Sequence, residues 1–552
     1  MKRRHALPLC VLAACGGDGD GSSPAAGPGE SGRPAAPFVF VDVAREAGLT
    51  AATWCGRPQK PHILESGGTG LALFDYDGDG DLDLYLVNGW RLDGAAVVER
   101  GRNVLYRNRG DGTFEDVSDE AGVGDEGWGC GVAVGDADGD GHPDLFVANF
   151  GPDALYLNRG DGTFAAQPDP PGVDGWSAGA LLFDADRDGD CDLFVGAYIE
   201  CTLDEVLGAR PRLDWNGLSV MFGPFGLEGE GNRYFENLGG ARFREAGAAA
   251  GLADVGLYYS FGVAALDLDQ DLDLDLYVAN DSNPNYLYRN DGAGHFKEVG
   301  LWSGAALSGD GAAQAGMGIA SGDVDDDGLV DLFVTHFAED ASTFYRNLGD
   351  CLFADETTRR GLRVPTYAPL SWGTVLADLD LDGDLDLFIA NGHIYPQADE
   401  VRVAGMGYAQ TNQLLAFDAG TFRDVSSEAG PGLAALGSSR GVAVGDLDGD
   451  GDLDLVVANV DAPPTLLRND TPRRGRWLIV DAPGAIRVEA ELPGRRIVRH
   501  AVVGGSFVSA SDPRFHFGLG GAARVNVLRV LWPDGTQSEL RDVPVDQVLS
   551  LR

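Results

Sequence analysis

Residues 75–87 read DYDGDGDLDLYLV: five aspartates on alternate positions, two glycines, then an apolar run of strand-forming residues. Counted from Asp75, carboxylates stand at positions 1, 3, 5 and 9 (Asp75, Asp77, Asp79, Asp83), with Gly80 at position 6. Gathering them requires a sharp turn, which glycine permits. Two carboxylates at ~4 Å and an effective dielectric of ~20 repel by about 4 kcal/mol. A divalent cation converts that repulsion into a cross-link.

Six further stretches repeat the spacing. The second is Asp136, Asp138, Asp140, Asp144, and the third Asp184, Asp186, Asp188, Asp192. The fourth is Asp267, Asp269, Asp271, Asp275, and the fifth Asp323, Asp325, Asp327, Asp331. The sixth is Asp378, Asp380, Asp382, Asp386, and the seventh Asp446, Asp448, Asp450, Asp454. Glycine holds position 6 in all but the fourth, where Leu272 stands, so that loop is expected to be strained and the weakest site. An EF-hand would need Glu at position 12 and flanking helices. Position 12 here is Leu86, Val147, Val195, Val278, Val334, Ile389 or Val457, each in a predicted strand. Magnesium keeps several waters and takes one or two carboxylates, so four carboxylates favour calcium, at up to seven sites.

Each loop is flanked by short apolar strands. Next comes a strand ending in Asn or a small turn (NVLYRN 103–108, NYLYRN 285–290, STFYRN 342–347), then a Gly turn into a Phe-led strand (GDGTFEDV 110–117). Four strands per unit, punctuated by Gly and Asp turns, read as blades of an all-β, seven-bladed β-propeller spanning 38–470. Seven loops have only six Phe-led strands after them. The missing one is FVFVDVAREAGL (38–49), which matches FEDVSDEAGV (114–123) and is expected to complete the last blade and close the ring. An open solenoid would leave that strand without a role.

The chain has 552 residues and a formal net charge of −45, from 41 Lys+Arg against 86 Asp+Glu. That excludes nucleic acid and anionic membrane surfaces as partners. The seven nonapeptides hold 34 of the 86 acids, so much of the imbalance is ligand. From Thr471 the balance reverses, with 12 Arg against 8 acids, and alternating apolar stretches indicate a small β domain at 471–552. Its arginines would dock on the acidic propeller.

Residues 1–14 (MKRRHALPLCVLAA) have a basic start and a short apolar run, the form of a signal peptide. Leu12-Ala13-Ala14-Cys15 resembles a lipobox, implying cleavage before Cys15 and its lipidation. Residues 15–37 then form a lipidated flexible linker, rich in Gly, Ser, Pro and Ala. The expected place is the bacterial cell envelope, on the outer membrane or cell surface, with the lipid anchor as the only membrane contact. Cys55, Cys130, Cys191, Cys201 and Cys351 show no CxxC spacing, and their odd number excludes full pairing.

DGDGDLDLYLVN (77–88), NVLYRNRGDGTFEDVSDEAGV (103–123), FGPFG (222–226), and GSFVSASDPRFHFGLGG (505–521) with VLRVLWPDG and VLSLR together carry a resemblance. They are similar to the FG-GAP/VCBS calcium repeats of integrin-type propellers and, more closely, to the cartilage acidic protein (ASPIC/UnbV) family. The resemblance implies calcium in the loops and a cysteine pair in the insertion between loops three and four. Cys201 is present, but Phe222 stands where the second cysteine would be.

No phosphate loop, nucleotide fingerprint, HExxH or nucleophile elbow occurs, and Ser511, Asp512 and His516 are merely close in sequence. His393, beside the loop 396–411, is the most site-like histidine. A monomeric binding or adhesion protein is therefore expected, taking a protein or glycan on the long loops at 90–102, 199–231 and 395–410. The alternative is a calcium-dependent lyase- or cyclase-like enzyme working in the central funnel.

Overall fold

The computed structural model describes residues 38–551, apart from 173–174, 253–255, 402, 404 and 473–474. The signal-peptide and Cys15 readings fall outside the described residues. The fold is nearly all β. Among the described residues seven antiparallel sheets, one per Asp loop, form the blades of a propeller, six of four strands and the fourth blade's of five. Blade 1 runs from its innermost strand Leu71–Phe74 through Asp83–Leu86 and Val104–Asn108 to Phe114–Asp116. Blade 7 takes its outer strand from the other end of the chain, because Phe40–Asp42 pairs with Thr465–Asn469. Alternating apolar residues on both faces of each sheet pack against the adjoining blades, as where Leu73 and Leu84 meet Ala443 and Val456.

The innermost strands show a regularity that the sequence reading passed over. Five residues before the first aspartate of every loop stands a glycine: Gly70, Gly131, Gly179, Gly262, Gly318, Gly373 and Gly441. A Cβ on Gly131, Gly179, Gly262, Gly318 or Gly373 would strike a backbone carbonyl of the next blade's innermost strand (Ala178, Phe261, Met317, Trp372, Arg440). One on Gly70 would strike the Val508 carbonyl, and one on Gly441 the Ser509 hydroxyl. The seven glycines thus form a collar around the axis, where strands approach too closely for a side chain.

Val508 and Ser509 belong to the C-terminal domain. Its two sheets, of three and four strands, enclose a core of Leu478, Val480, Val488, Phe517, Val525 and Leu528. Between them the chain leaves the domain and threads the propeller axis. Val503–Gly504 pairs with the blade 4 innermost strand Tyr259–Leu266. Ser506 exchanges backbone hydrogen bonds with Ile319, the Val508 carbonyl accepts from Val132 N at 3.3 Å, and Ala510 N donates to the Leu71 carbonyl at 2.9 Å. Asp512 N donates to the Val444 carbonyl at 3.1 Å. Phe507 is 2% exposed and packs against Phe261 and Trp372. The docking expected of the arginines is therefore joined by a backbone-paired segment on the axis.

Candidate metal loops and the opposite face

All seven Asp loops turn at one end of the strand pairs. Position 1 caps its own loop: Asp75 accepts from the backbone N–H groups of Gly78, Asp79 and Gly80, and Asp136 and Asp446 repeat the arrangement. Position 9 ties the loop to the third strand. Asp83 accepts from Tyr76 N at 3.1 Å and Asn108 N at 2.8 Å, and Asp144, Asp192, Asp275, Asp331 and Asp454 use the equivalent pair. The same asparagines stitch blades together. Asn158 Nδ2 donates to the Tyr76 carbonyl of blade 1, Asn347 to Leu268 of blade 4 and Asn469 to Leu379 of blade 6. In blade 6 Phe417 stands in the asparagine's place and keeps only the backbone bond to Asp386.

The carboxylates converge. Asp75, Asp77 and Asp83 each offer an oxygen within 4.8 Å of the others, as do Asp136, Asp138 and Asp144; Asp184, Asp186 and Asp188; and Asp267, Asp269 and Asp271. Burial, with neighbouring carboxylates adding to it, pushes Asp83 up to about 8, Asp144 and Asp192 to about 7, Asp331 to about 8 and Asp378 to about 8. Asp275, Asp386 and Asp454 rise well above the ordinary range for the same reason. Asp325 is the contrary case: burial raises it, but Arg346 and Arg360 outweigh that and hold it below the ordinary range. Asp77 Oδ1, Asp184 Oδ1, both carboxylate oxygens of Asp269 and Asp325 Oδ1 are buried without a hydrogen-bond donor. Converging hard oxygens, five of them orphaned, fit calcium.

Leu272 adopts φ +76°, where the other six loops have glycine at φ +89° to +99°. Its side chain leans toward Gly535 of the C-terminal domain. That domain covers the later loops. Arg495 pairs with Asp326 and Asp384, Arg499 Nη2 donates to the Gly383 carbonyl at 3.2 Å, and Trp477 lies against Gly451.

A strand pair with its turn at one end has its free ends at the other, so the long connections leave on the opposite face. Two form hairpins, Trp90–Asp93 with Ala96–Arg100 and Arg212–Trp215 with Leu218–Met221. All three long connections converge on one aromatic cluster, which includes Trp128, Trp176, Tyr198, Trp372, Tyr395 and Phe507. Trp215 stacks near His393 and Tyr395. The cavity left under this cap is about 10 Å³, room for about one water. His393 is buried, accepts from Tyr395 N on Nδ1, and is held down to about 3 by burial and Arg440. It is therefore neutral at physiological pH. Ser511, Asp512 and His516 go to separate partners: Val444 N, Arg514 and the Gly451 carbonyl. Cys55, Cys130, Cys191, Cys201 and Cys351 are free, and Phe222 packs on Phe225.

The FG-GAP-like repeat profile matches residues 75–147, 136–195, 267–334, 323–389 and 399–457, together more than half of the chain. The ASPIC and UnbV profile matches 481–552. Among curated proteins, cartilage acidic protein 1 of Xenopus tropicalis is 27% identical over 293 residues, covering 50% of this chain and 42% of that protein. The Homo sapiens protein is 28% identical over 282 residues, covering 47% and 39%. The chain thus spans about two fifths of the length of the curated relatives it matches. Solved structures with a similar trace include an Agrocybe aegerita lectin described as recognising non-reducing terminal N-acetylglucosamine (TM-score 0.34, 19% identity, 67% of this chain and 89% of that one). Another is BBS1N in complex with ARL6DN (TM-score 0.39, 11% identity, 79% and 97%).

Proposed function

Since this chain belongs to the FG-GAP-like repeat proteins that carry an ASPIC and UnbV module, we propose that it is a calcium-stapled binding protein, exported and held at the cell envelope by a lipid on Cys15. The observation that carries the reading is the division of the propeller into two faces. One face carries the Asp loops, whose carboxylates converge and, as at Asp83 and Asp378, are buried and repel one another. The other gathers every long connection around an aromatic cluster. Calcium on the first face rigidifies the scaffold, and the second recognises a protein or glycan. The rim of that face offers side chains suited to either ligand, with Arg100 over the Trp90 ring and Phe225 44% exposed. An enzyme working in the funnel is disfavoured, because the axis is filled by 503–512 and the mouth is capped.

The test is thermal unfolding against free calcium, followed by glycan-array and pulldown screening of the loaded protein. Each site filled at 100 times its Kd adds about 2.7 kcal/mol, so a large calcium-dependent rise in Tm is expected. A melting curve that EDTA leaves unchanged sinks the calcium reading. Turnover of a polysaccharide, abolished by His393→Ala with Tm and calcium content intact, would replace binding with catalysis.

A further inference from the structure

The turn into a blade's outer strand leans over the Asp loop of the blade before it. A Cβ on Gly112, two residues before Phe114, would stand 3.3 Å from Asp448 Cβ in loop seven. One on Gly294, two residues before Phe296, would stand 3.2 Å from Asp186 Cβ in loop three. Both meet the aspartate at position 3. Gly162, Ala241 and Gly420 hold the same place in their turns, so five of these turns bring no donor side chain to the loop. In blade 5 the residue is Cys351, held at φ +55° in the left-handed region that suits glycine.

Cys351 therefore places a thiol on loop four. Its Sγ lies 3.7 Å from Asp275 Oδ2, and Asp269, Asp275 and Cys351 each offer an atom within 4.8 Å of the others. Cys351 and Asp275 are buried, and the Asp269 side chain is fully enclosed. Neither Asp269 oxygen has a hydrogen-bond donor among the described residues. Arg289 Nε comes within 2.5 Å of Asp269 Oδ2 as an ion pair without hydrogen-bond geometry, so it balances charge and leaves the carboxylate unsatisfied. Asp269 also converges with Asp267 and Asp271, so the thiol joins the loop's own ligands instead of forming a separate centre.

We infer that loop four holds a thiophilic divalent ion, of which zinc is the type, on Cys351, Asp269 and Asp275, in place of calcium. This rests on the reading that the Asp loops bind metal. Calcium takes six to eight oxygens and gains nothing from sulfur, whereas zinc takes four ligands and binds thiolate at ~2.3 Å. A thiol among the donors reverses the preference. The thiol gives up its proton to solvent as the sulfur–metal bond forms. A four-coordinate ion also asks fewer oxygens of a loop whose turn carries Leu272 instead of glycine. Loop four is then joined to blade 5 through the metal itself.

The test loads the reduced, full-length protein with zinc or cobalt(II) in excess calcium and counts metals by elemental analysis after gel filtration. One zinc per chain should be retained, and cobalt should show a thiolate-to-metal charge-transfer band. Cys351→Gly, the residue of the equivalent turns, should abolish both. Cys191→Ser, which alters the thiol inside loop three, should keep both. Asp269→Asn leaves the thiol in place and should weaken zinc binding by at least ~10-fold, which covers the case that Cys351→Gly fails to fold. Calcium bound with no zinc or cobalt retained overturns the inference and leaves the calcium reading standing. Zinc retained without calcium does the reverse, and retention of neither overturns both. Zinc held equally well by Cys351→Gly, or unchanged in affinity in Asp269→Asn, also overturns the inference.

Discussion

The first three Asp loops and the last four share a pattern but not a setting. Gly80, Gly141 and Gly189 at position 6 are exposed, whereas Gly328, Gly383 and Gly451 are buried. Position 1 follows suit, with Asp75, Asp136 and Asp184 half-buried and Asp267, Asp323, Asp378 and Asp446 buried. The cause is the C-terminal domain, whose Leu272, Arg495, Arg499 and Trp477 contacts all fall on loops four to seven. One repeat has become two populations. The open loops meet solvent directly, and the covered loops are sealed by a domain that is itself pinned through the axis.

That pinning gives the largest expected effect. If the cover is held by the threaded segment, Phe507→Ala should cost about 3–5 kcal/mol in denaturant unfolding, the range for deleting a buried aromatic side chain. Phe507 contacts Phe261 of blade 4 and Trp372 of blade 6, so the loss should appear in one cooperative transition. A loss below about 1 kcal/mol would mean that rim arginines hold the domain, and the distinction between the populations would be one of surface contact only.

Much of this was legible in residues 38–551. Loop spacing, apolar strands and Phe-led turns are local signals, set within ten residues of one another, and they placed the seven sheets and the closing strand at Phe40–Asp42. The glycine collar was equally local, since Gly70 and its six counterparts keep one distance from their loops. One glycine inside one apolar strand carries no signal by itself, and only the seven strands aligned on their loops show that the position never bears a side chain. The axial segment had no such signal. Ser506 to Ile319 and Ala510 to Leu71 are contacts between distant parts of the chain, decided by packing alone.

The pH response comes next, and both populations contribute to it. In EDTA, raised carboxylates bind protons more tightly folded than unfolded, so their contribution to stability is present at low pH and is lost as pH rises through the folded values. Asp331 and Asp378, in covered loops, reach about 8, and Asp446 reaches about 6. In the open loops Asp83 reaches about 8 and Asp144 and Asp192 about 7, while Asp75 and Asp184 at position 1 rise less. The metal-free Tm should therefore climb by several degrees as pH falls from about 8 to about 5, and saturating calcium should flatten the slope. A metal-free Tm that instead falls over that window would show that the loops are not the charged centres described.

The smallest expected effect concerns the one loop that breaks its own rule. A side chain in the left-handed region costs about 1–2 kcal/mol, which Leu272 bears at φ +76°. Its side chain is half-buried and leans toward the turn at Gly535, since loop four begins the covered half. Leu272→Gly removes the strain together with a half-buried apolar side chain, so the two terms oppose each other and the net change in stability should stay within about 1 kcal/mol. What should change is the loop itself, whose turn gains the geometry of the other six. If glycine alone added a bound calcium, turn shape would set occupancy in blade 4. If the count stayed constant while Tm moved by no more than a few degrees, the irregular turn would be a concession to the domain that sits on it, independent of the metal.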